Sequence, residues 1–428
     1  MASKFKMITQ TIHQNIQTGQ LKKGDKLPSI RQLSQEFNCS KDTVQRALLE
    51  LRHQNLIYAV EKSGYYVLEG QDLSGETMTI SLEDYNHLAY NDFKACLSET
   101  LIGRENYLFN YYQQQEGLTE LLDSLQQHLF NQDIYTKMDN IVVTAGTQQA
   151  LYILSQMAFP NQKTTILLEQ PTYQRMNAII REQQLAHQSI ERNFQGLDFQ
   201  VLEELFKTQP IKFFYTIPRC SNPLNLSYTP EEKKKLLALA EAYDVYIIED
   251  DYMGDLAKAT DLPLHYYDTN DRVIYLKSFS TTLFPALRLG MSVLPQQLMK
   301  GFLAYKKLID YDTSLIMQKA LSLYLDNGMF AKNLAHLKQF FNERLQTAQR
   351  LCQNILPSEL HYQIGAKFIS IQLPSTPKLG LYKEAKIPLL NPDTSINQQE
   401  LHYLYLSNDM DLAKWLKKVA KIYKKGLG

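Results

Sequence analysis

From about residue 80 onward, strand-like apolar runs alternate with helical patterns, and this alternation limits the fold more than any other feature. The runs are Ile141–Thr144, Thr165–Glu169, Lys212–Thr216, Tyr243–Glu249 and Val273–Leu276. Helical patterns such as Gln149–Met157 and Pro230–Ala242 lie between them. Strands interleaved with helices predict an α/β domain. Rossmann and hydrolase domains share the pattern, but no G-x-G-x-x-G, G-x-S-x-G or phosphate-loop motif supports those readings.

The first 67 residues read differently. Phe5, Ile8, Ile12 and Ile16 follow helical spacing up to Gly19. A turn, LKKGDKLPS, leads to a second helix from Pro28-Ser29, with Ile30, Leu33 and Phe37 on one face. Ser40 is an N-cap for a third helix whose apolar face is Val44, Ala47, Leu48 and Leu51. Two strand-like runs, Leu56–Val60 and Tyr65–Val67, flank the turn EKSG and predict a hairpin. Three short helices and a hairpin describe a winged helix-turn-helix.

Charge separates the two parts. Residues 1–67 carry ten Lys/Arg and five Asp/Glu, a net +5, and the remainder carries −5, so the whole chain is neutral. A basic head on an acidic body implies that the head meets a polyanion. The low-hydrophobicity stretch Leu68–Thr79 predicts a short linker, giving domains at 1–67 and 80–428. No apolar stretch is long enough for a membrane span, and MASKFKMITQ lacks the features of a signal peptide, so a cytoplasmic protein is expected. Cys39, Cys96, Cys220 and Cys352 are scattered, which fits a reducing compartment and predicts neither a disulfide framework nor a zinc site.

Two resemblances sharpen this picture. Gly19–Arg31 (G-x-L-x-x-G-D-x-L-P-S-x-R), C-S-K-D-T-V at Cys39–Val44 and the wing glycine Gly64 resemble the GntR-type DNA-binding domain. A recognition helix places its first residues on base edges, while side chains and helix termini hold phosphates. The candidate DNA contacts are therefore Arg31, Ser40, Lys41, Thr43, Gln45, Arg46, Lys62 and Gly64. The body carries VTAGTQQAL at Val143–Leu151, EQPTY at Glu169–Tyr173, SNPLN at Ser221–Asn225, IEDDY at Ile248–Tyr252 and YLKSFSTTLFPALRLG at Tyr275–Gly290; on these segments it resembles fold-type I pyridoxal-phosphate (PLP) enzymes, and the whole chain is similar to the MocR group of GntR-family regulators. That resemblance implies a mostly parallel sheet with helices on both faces and a small C-terminal α/β subdomain from about residue 310.

The residues that carry the second resemblance are spread along the body. Tyr112 with Gly117 resembles the segment that reaches a partner subunit's cofactor phosphate, and Val143–Leu151 the phosphate turn of Gly146, Thr147 and Gln148. Tyr173, in EQPTY, matches the ring that stacks on the pyridine. Asn222, in SNPLN, matches the asparagine near the ring hydroxyl, although Leu224-Asn225 replaces the usual Thr-Gly. Asp250, in IEDDY, matches the partner of the pyridine nitrogen, with Asp251 as its competitor and Tyr252 toward the ring oxygen. Ser278, Ser280 and Arg288 match the remaining phosphate ligands.

The chemistry itself is missing. Tyr275–Gly290 (YLKSFSTTLFPALRLG) matches the Schiff-base segment without a gap, but Thr281 stands at the lysine position. A hydroxyl cannot hold the cofactor as an imine. The segment LHYLYLSNDMD aligns loosely with the one whose arginine clamps a substrate carboxylate, and His402 or a neighbour stands there. Pro160-Asn161-Gln162 replaces a family P-G-D turn. Lys277 lies four residues before Thr281, too far to substitute without a shifted register.

The expectation is a homodimeric DNA-binding regulator that reads an operator in double-stranded DNA. Its aminotransferase-like body, without turnover and so without a catalytic residue, would serve dimerisation and sensing. PLP, pyridoxamine phosphate or a PLP–amino acid aldimine would be the effector, held non-covalently. Two alternatives remain: a working aminotransferase using Lys277, and a ligand-free dimerisation scaffold.

Overall fold

A computed structural model of the chain describes residues 4–22, 24–53, 56–60, 64–67, 87–102, 114–310, 313–373, 379–387, 403–409 and 411–426. The chain divides into two units, Met1–Asp84 and Tyr85–Gly428. The predicted linker 68–79 lies outside the described residues.

In the first unit, local sequence sets the helix ends. Ser29 caps α2 (Ile30–Glu36): its hydroxyl accepts from Gln32 N, while the Gln32 side chain accepts from Ser29 N. Ser40 caps α3 (Lys41–His53), accepting from Thr43 N at 3.2 Å. Both follow α1 (Lys4–Gln17), and Ile8, Ile12, Leu33, Val44, Ala47, Leu48 and Leu51 bury a common core. The strands β1 (Ile57–Val60) and β2 (Gly64–Val67) pair antiparallel, and Lys26 adds a single bridge to Tyr66. The winged helix-turn-helix read from the sequence is the fold observed.

The second unit is built on a sheet ordered β3-β10-β9-β8-β7-β4-β5-β6. In chain order the strands are β3 (Ile141–Thr144), β4 (Thr165–Gln170), β5 (His187–Asn193), β6 (Gly196–Leu197), β7 (Ile211–Thr216), β8 (Tyr246–Asp250), β9 (Val273–Ser278) and β10 (Gly290–Val293). Strands β5, β4, β7, β8 and β9 run parallel, and β10 is antiparallel to both β9 and β3. The central strands are buried along their whole length. Helices cover both faces, so one core lies under Thr147–Gln156 and another under Phe199–Thr208 and Pro230–Ala242. One predicted strand starts later than expected. Tyr243 caps the helix Pro230–Ala242, and Asp244 takes a positive φ of 49°, so β8 begins only at Tyr246.

A smaller sheet, β11 (Tyr362–Ile364), β12 (Phe368–Gln372) and β13 (Tyr403–Ser407), packs with the helix Leu412–Gly426. The long helix Met329–Ile355 serves both cores: Phe330 and Leu334 belong to the large domain, Ala348 and Cys352 to the small one. The change of core falls inside this helix.

Candidate functional site

The carboxyl ends of parallel strands are where ligands bind in open α/β sheets. A cavity of about 180 Å³ lies there, lined by residues that follow β3, β4, β7, β8 and β9. Gly146, Thr147, Gln148, Tyr173, Asn222, Asp250, Tyr252, Ser278, Ser280, Thr281 and Arg288 all line it. Ile217, which the sequence reading did not single out, completes the wall. Tyr112 and His402 lie outside the described residues. A larger groove lined by Asn140, Asp271 and Val293 opens at the amino ends of β3 and β9 and shares none of these groups.

One end of the cavity is built for an anion. Gly146 precedes the helix Thr147–Gln156 with φ of 84°, a conformation that glycine adopts without strain. A Cβ at Gly146 would meet the Arg288 guanidinium at 3.4 Å, and one at Gly290 would come within 3.0 Å of the Gly146 backbone. The turn is therefore packed tightly between Arg288 and β10. The first amides of the helix have no partner within it, and the helix dipole adds positive potential. Arg288 sits in the left-handed region at φ 52° and donates from Nη2 to Ala145 O at 3.1 Å. A non-glycine residue held this way is locally strained, as functional positions often are. Ser280 N donates to Ser278 Oγ at 3.2 Å, which folds the serine loop back on itself.

The other end carries an unsatisfied carboxylate. Asp250 is buried; its Oδ2 accepts from Tyr215 at 2.7 Å, and its Oδ1 has no partner among the described residues. Burial pushes its pKa up to about 6; the Tyr215 hydroxyl works against that shift and the nearby Asp251 adds to it. Asp251 is occupied elsewhere, by Arg219 and by the Tyr275 hydroxyl at 2.6 Å. Of the two carboxylates, only Asp250 presents a free oxygen to the cavity. A buried acceptor of this kind suits a protonated ring nitrogen. The Tyr173 ring is half-buried on the same cavity. Tyr252 Oη donates to Cys220 O at 3.1 Å, so toward a ligand it can only accept. A donor to a ring oxygen would have to come from Asn222. The groups present thus fit a phosphorylated pyridine, while residue 281 offers no amine.

Lys277 does not line the cavity. It is 1% exposed, and its Nζ pairs with Asp255 Oδ1 at 2.7 Å. His128 Nε2 sits 3.2 Å from the same oxygen. Side chains alternate along β9, so Ser278 faces the cavity and Lys277 does not. The partner of Lys277 is a buried carboxylate, which its sequence position does not announce.

Two features near the cavity were not read from the sequence. Asn225 adopts φ 58°, where glycine or asparagine is tolerated, and its Nδ2 donates to Phe368 O at 3.1 Å and Ser370 Oγ at 3.2 Å. The residue that replaces a family glycine thus ties the Asn222 loop to the small sheet. Beyond it, the Lys367 amine reaches Thr281 Oγ1 at 3.4 Å. These pairs lie 143 to 145 and 86 residues apart, so no local pattern could announce them.

In the head, Arg31, Ser40, Lys41, Gln45 and Arg46 are exposed and Thr43 is half-buried, on α3 and the helix before it. Gly64 begins β2 with φ 127°, and Lys62 lies outside the described residues.

Comparison with known proteins agrees with both units. Residues 83–390 match the aminotransferase class I and II model, and residues 4–67 match that of bacterial regulatory proteins of the gntR family. The Bacillus subtilis regulator YcxD is 42% identical over 371 residues, covering 85% of this chain and 82% of that protein. NorG of Staphylococcus aureus is 24% identical, covering 80% and 85%. YdcR of Escherichia coli is 26% identical, covering 87% and 86%. Among solved structures, a kynurenine aminotransferase from Pyrococcus horikoshii superposes with a TM-score of 0.72 at 23% identity, covering 79% of this chain and 88% of that one.

The body is an aminotransferase class I and II domain of fold-type I. With its GntR-type head, the chain belongs to the MocR-like group of GntR-family transcriptional regulators. No helix among the described residues is long and apolar enough to cross a membrane.

Proposed function

We propose that this protein is a cytoplasmic, homodimeric regulator that binds operator DNA through its head and senses a pyridoxal-type ligand through its body, without transaminase turnover. The observation that carries this reading is the pairing of an intact cradle with an absent amine. Asp250 Oδ1 is buried and has no partner among the described residues, while Thr281 stands where the reaction would need a lysine. Such a cofactor, when bound, supplies an electron sink for carbanions. The chain's own residues bind and orient it. Arg288, the serines and the first amides of Thr147–Gln156 take the phosphate, Asp250 the ring nitrogen, and Tyr173 the ring face. These contacts suffice for non-covalent binding. At the head, Lys41, Arg46 and Arg31 provide charge for DNA phosphates, and Ser40, Thr43 and Gln45 the first turn of the reading helix.

The cradle is tested by calorimetric titration with pyridoxamine phosphate, which has no aldehyde and can form no imine. Binding is expected; its failure would favour the ligand-free scaffold. Regulation is tested by comparing a fragment of the protein's own promoter with random DNA, and the parent with Arg31→Ala. Equal binding in all cases would overturn sequence-specific recognition. Steady transamination of common amino acids would overturn the absence of turnover.

A further inference from the structure

Beside the residue that lacks an amine lies one that carries it. Lys367 sits in the turn between β11 and β12, and its Nζ is 3.4 Å from the Thr281 hydroxyl that lines the cavity. Its placement is fixed from three sides. Gly365 N donates to Phe368 O at 2.9 Å and closes the turn, and Asn408 N donates to Lys367 O at 2.8 Å. Asn408 Nδ2 also donates to Gly365 O at 3.1 Å, and Asn225 holds Phe368 O from the Asn222 loop. Gly365 has no room for a Cβ against Asn225, so the turn is pressed onto the cavity loop.

Among the described residues the amine has no acidic partner to keep it charged. Burial lowers it from 10.5 to about 8, with no carboxylate contributing. At pH 7.5 that shift increases the fraction of neutral amine roughly two-hundredfold over an exposed lysine. A lysine that burial leaves partly neutral near pH 8 is a nucleophile toward carbonyl carbon.

We propose that Lys367 supplies the amine that residue 281 lacks, forming a reversible imine with the aldehyde of a pyridoxal-type ligand seated in the cavity. This rests on the reading that the cavity holds such a ligand, and adds a bond that the hold itself does not require. The nitrogen lone pair attacks the aldehyde carbon, and the proton lost from nitrogen is taken up by the carbonyl oxygen. The carbinolamine then loses water to leave the carbon–nitrogen double bond, so amine and aldehyde give imine and one water, with no redox change. The Thr281 hydroxyl, in contact with the amine, accepts its hydrogen bond and passes the proton toward the departing oxygen. Threonine at 281 is then a positioning group for a lysine that arrives from the other subdomain.

The test uses the full-length protein with one equivalent of PLP, borohydride reduction, intact mass and peptide mapping. One pyridoxyl group per chain, on Lys367, is expected, and it should be lost in Lys367→Arg. The rate of imine absorbance should rise as pH passes through about 8, not near 10.5 as for an exposed lysine. Pyridoxamine phosphate titrated into the same variant reports whether its cradle has folded. An adduct on Lys277 or on scattered lysines, or none in a protein that binds pyridoxamine phosphate, overturns the inference and leaves the ligand reading standing. Failure to bind pyridoxamine phosphate removes both.

Discussion

Replacing Asp250 by asparagine should make the ligand-free protein more stable and its binding worse. Asp250 is 3% exposed, and burial is the main cause that lifts its pKa from 3.8 to about 6. The folded state therefore disfavours the charged form. Well below pH 4 the acid is neutral whether folded or unfolded, and no penalty exists. The penalty grows as pH rises from about 4 to 6 and is complete above that. At 1.36 kcal/mol per pKa unit, the shift corresponds to about 3 kcal/mol at pH 7.5 and about 1 kcal/mol at pH 4.5. Asparagine keeps an oxygen for the Tyr215 hydroxyl and carries no charge. Asp250→Asn should then raise the melting temperature of the body by several degrees at pH 7.5 and by about a third as much at pH 4.5. Scanning calorimetry at the two pH values measures this. Titration with pyridoxamine phosphate should show at least a tenfold loss of affinity, about 1.4 kcal/mol. A variant less stable than the parent at pH 7.5, or a gain that ignores pH, would refute the reasoning.

Three further outcomes follow from particular contacts. Lys277→Met leaves Asp255 buried without its ammonium partner; it should cost about 3–5 kcal/mol in denaturant unfolding while binding of pyridoxamine phosphate by the folded fraction is unchanged. Lys41→Ala should weaken DNA binding about equally for operator and random sequence and flatten the salt dependence by about one unit, measured by anisotropy across salt concentrations. Asn225→Gly relaxes a positive φ but loses two hydrogen bonds to the small sheet, for a net cost of about 1–2 kcal/mol. Amide exchange across residues 365–370 should speed up, and unchanged exchange would show that something else holds the hairpin.

The parts of this fold that could be read in advance are the parts whose causes are local. Ser29 and Ser40 announce helix starts because a cap lies three residues from what it caps. The apolar runs of β3, β4, β7, β8 and β9 announce a buried sheet because every residue of a central strand must be apolar or partnered. The cavity was legible residue by residue for a related reason, since each strand end carries its own short segment into the turn that follows. What escaped detection is non-local. Tyr215 meets Asp250 across two neighbouring strands, Asn225 meets Phe368 across the subdomains, and the Lys367 amine meets Thr281 from a different sheet. The pairing of Lys277 was not legible either, because a single strand position does not say which face it serves, nor that Asp255 waits on that face.

Asn222 and Asn225 stand three residues apart on one loop, the first in the cavity wall and the second bonded to the small sheet. That loop is a shared lever. A ligand held by Asn222 is joined through Asn225 to the hairpin bearing Lys367. By thermodynamic reciprocity, whatever shifts that hairpin changes the ligand's affinity by the same factor. Four residues of loop thus tie the wall of the cavity to the small sheet.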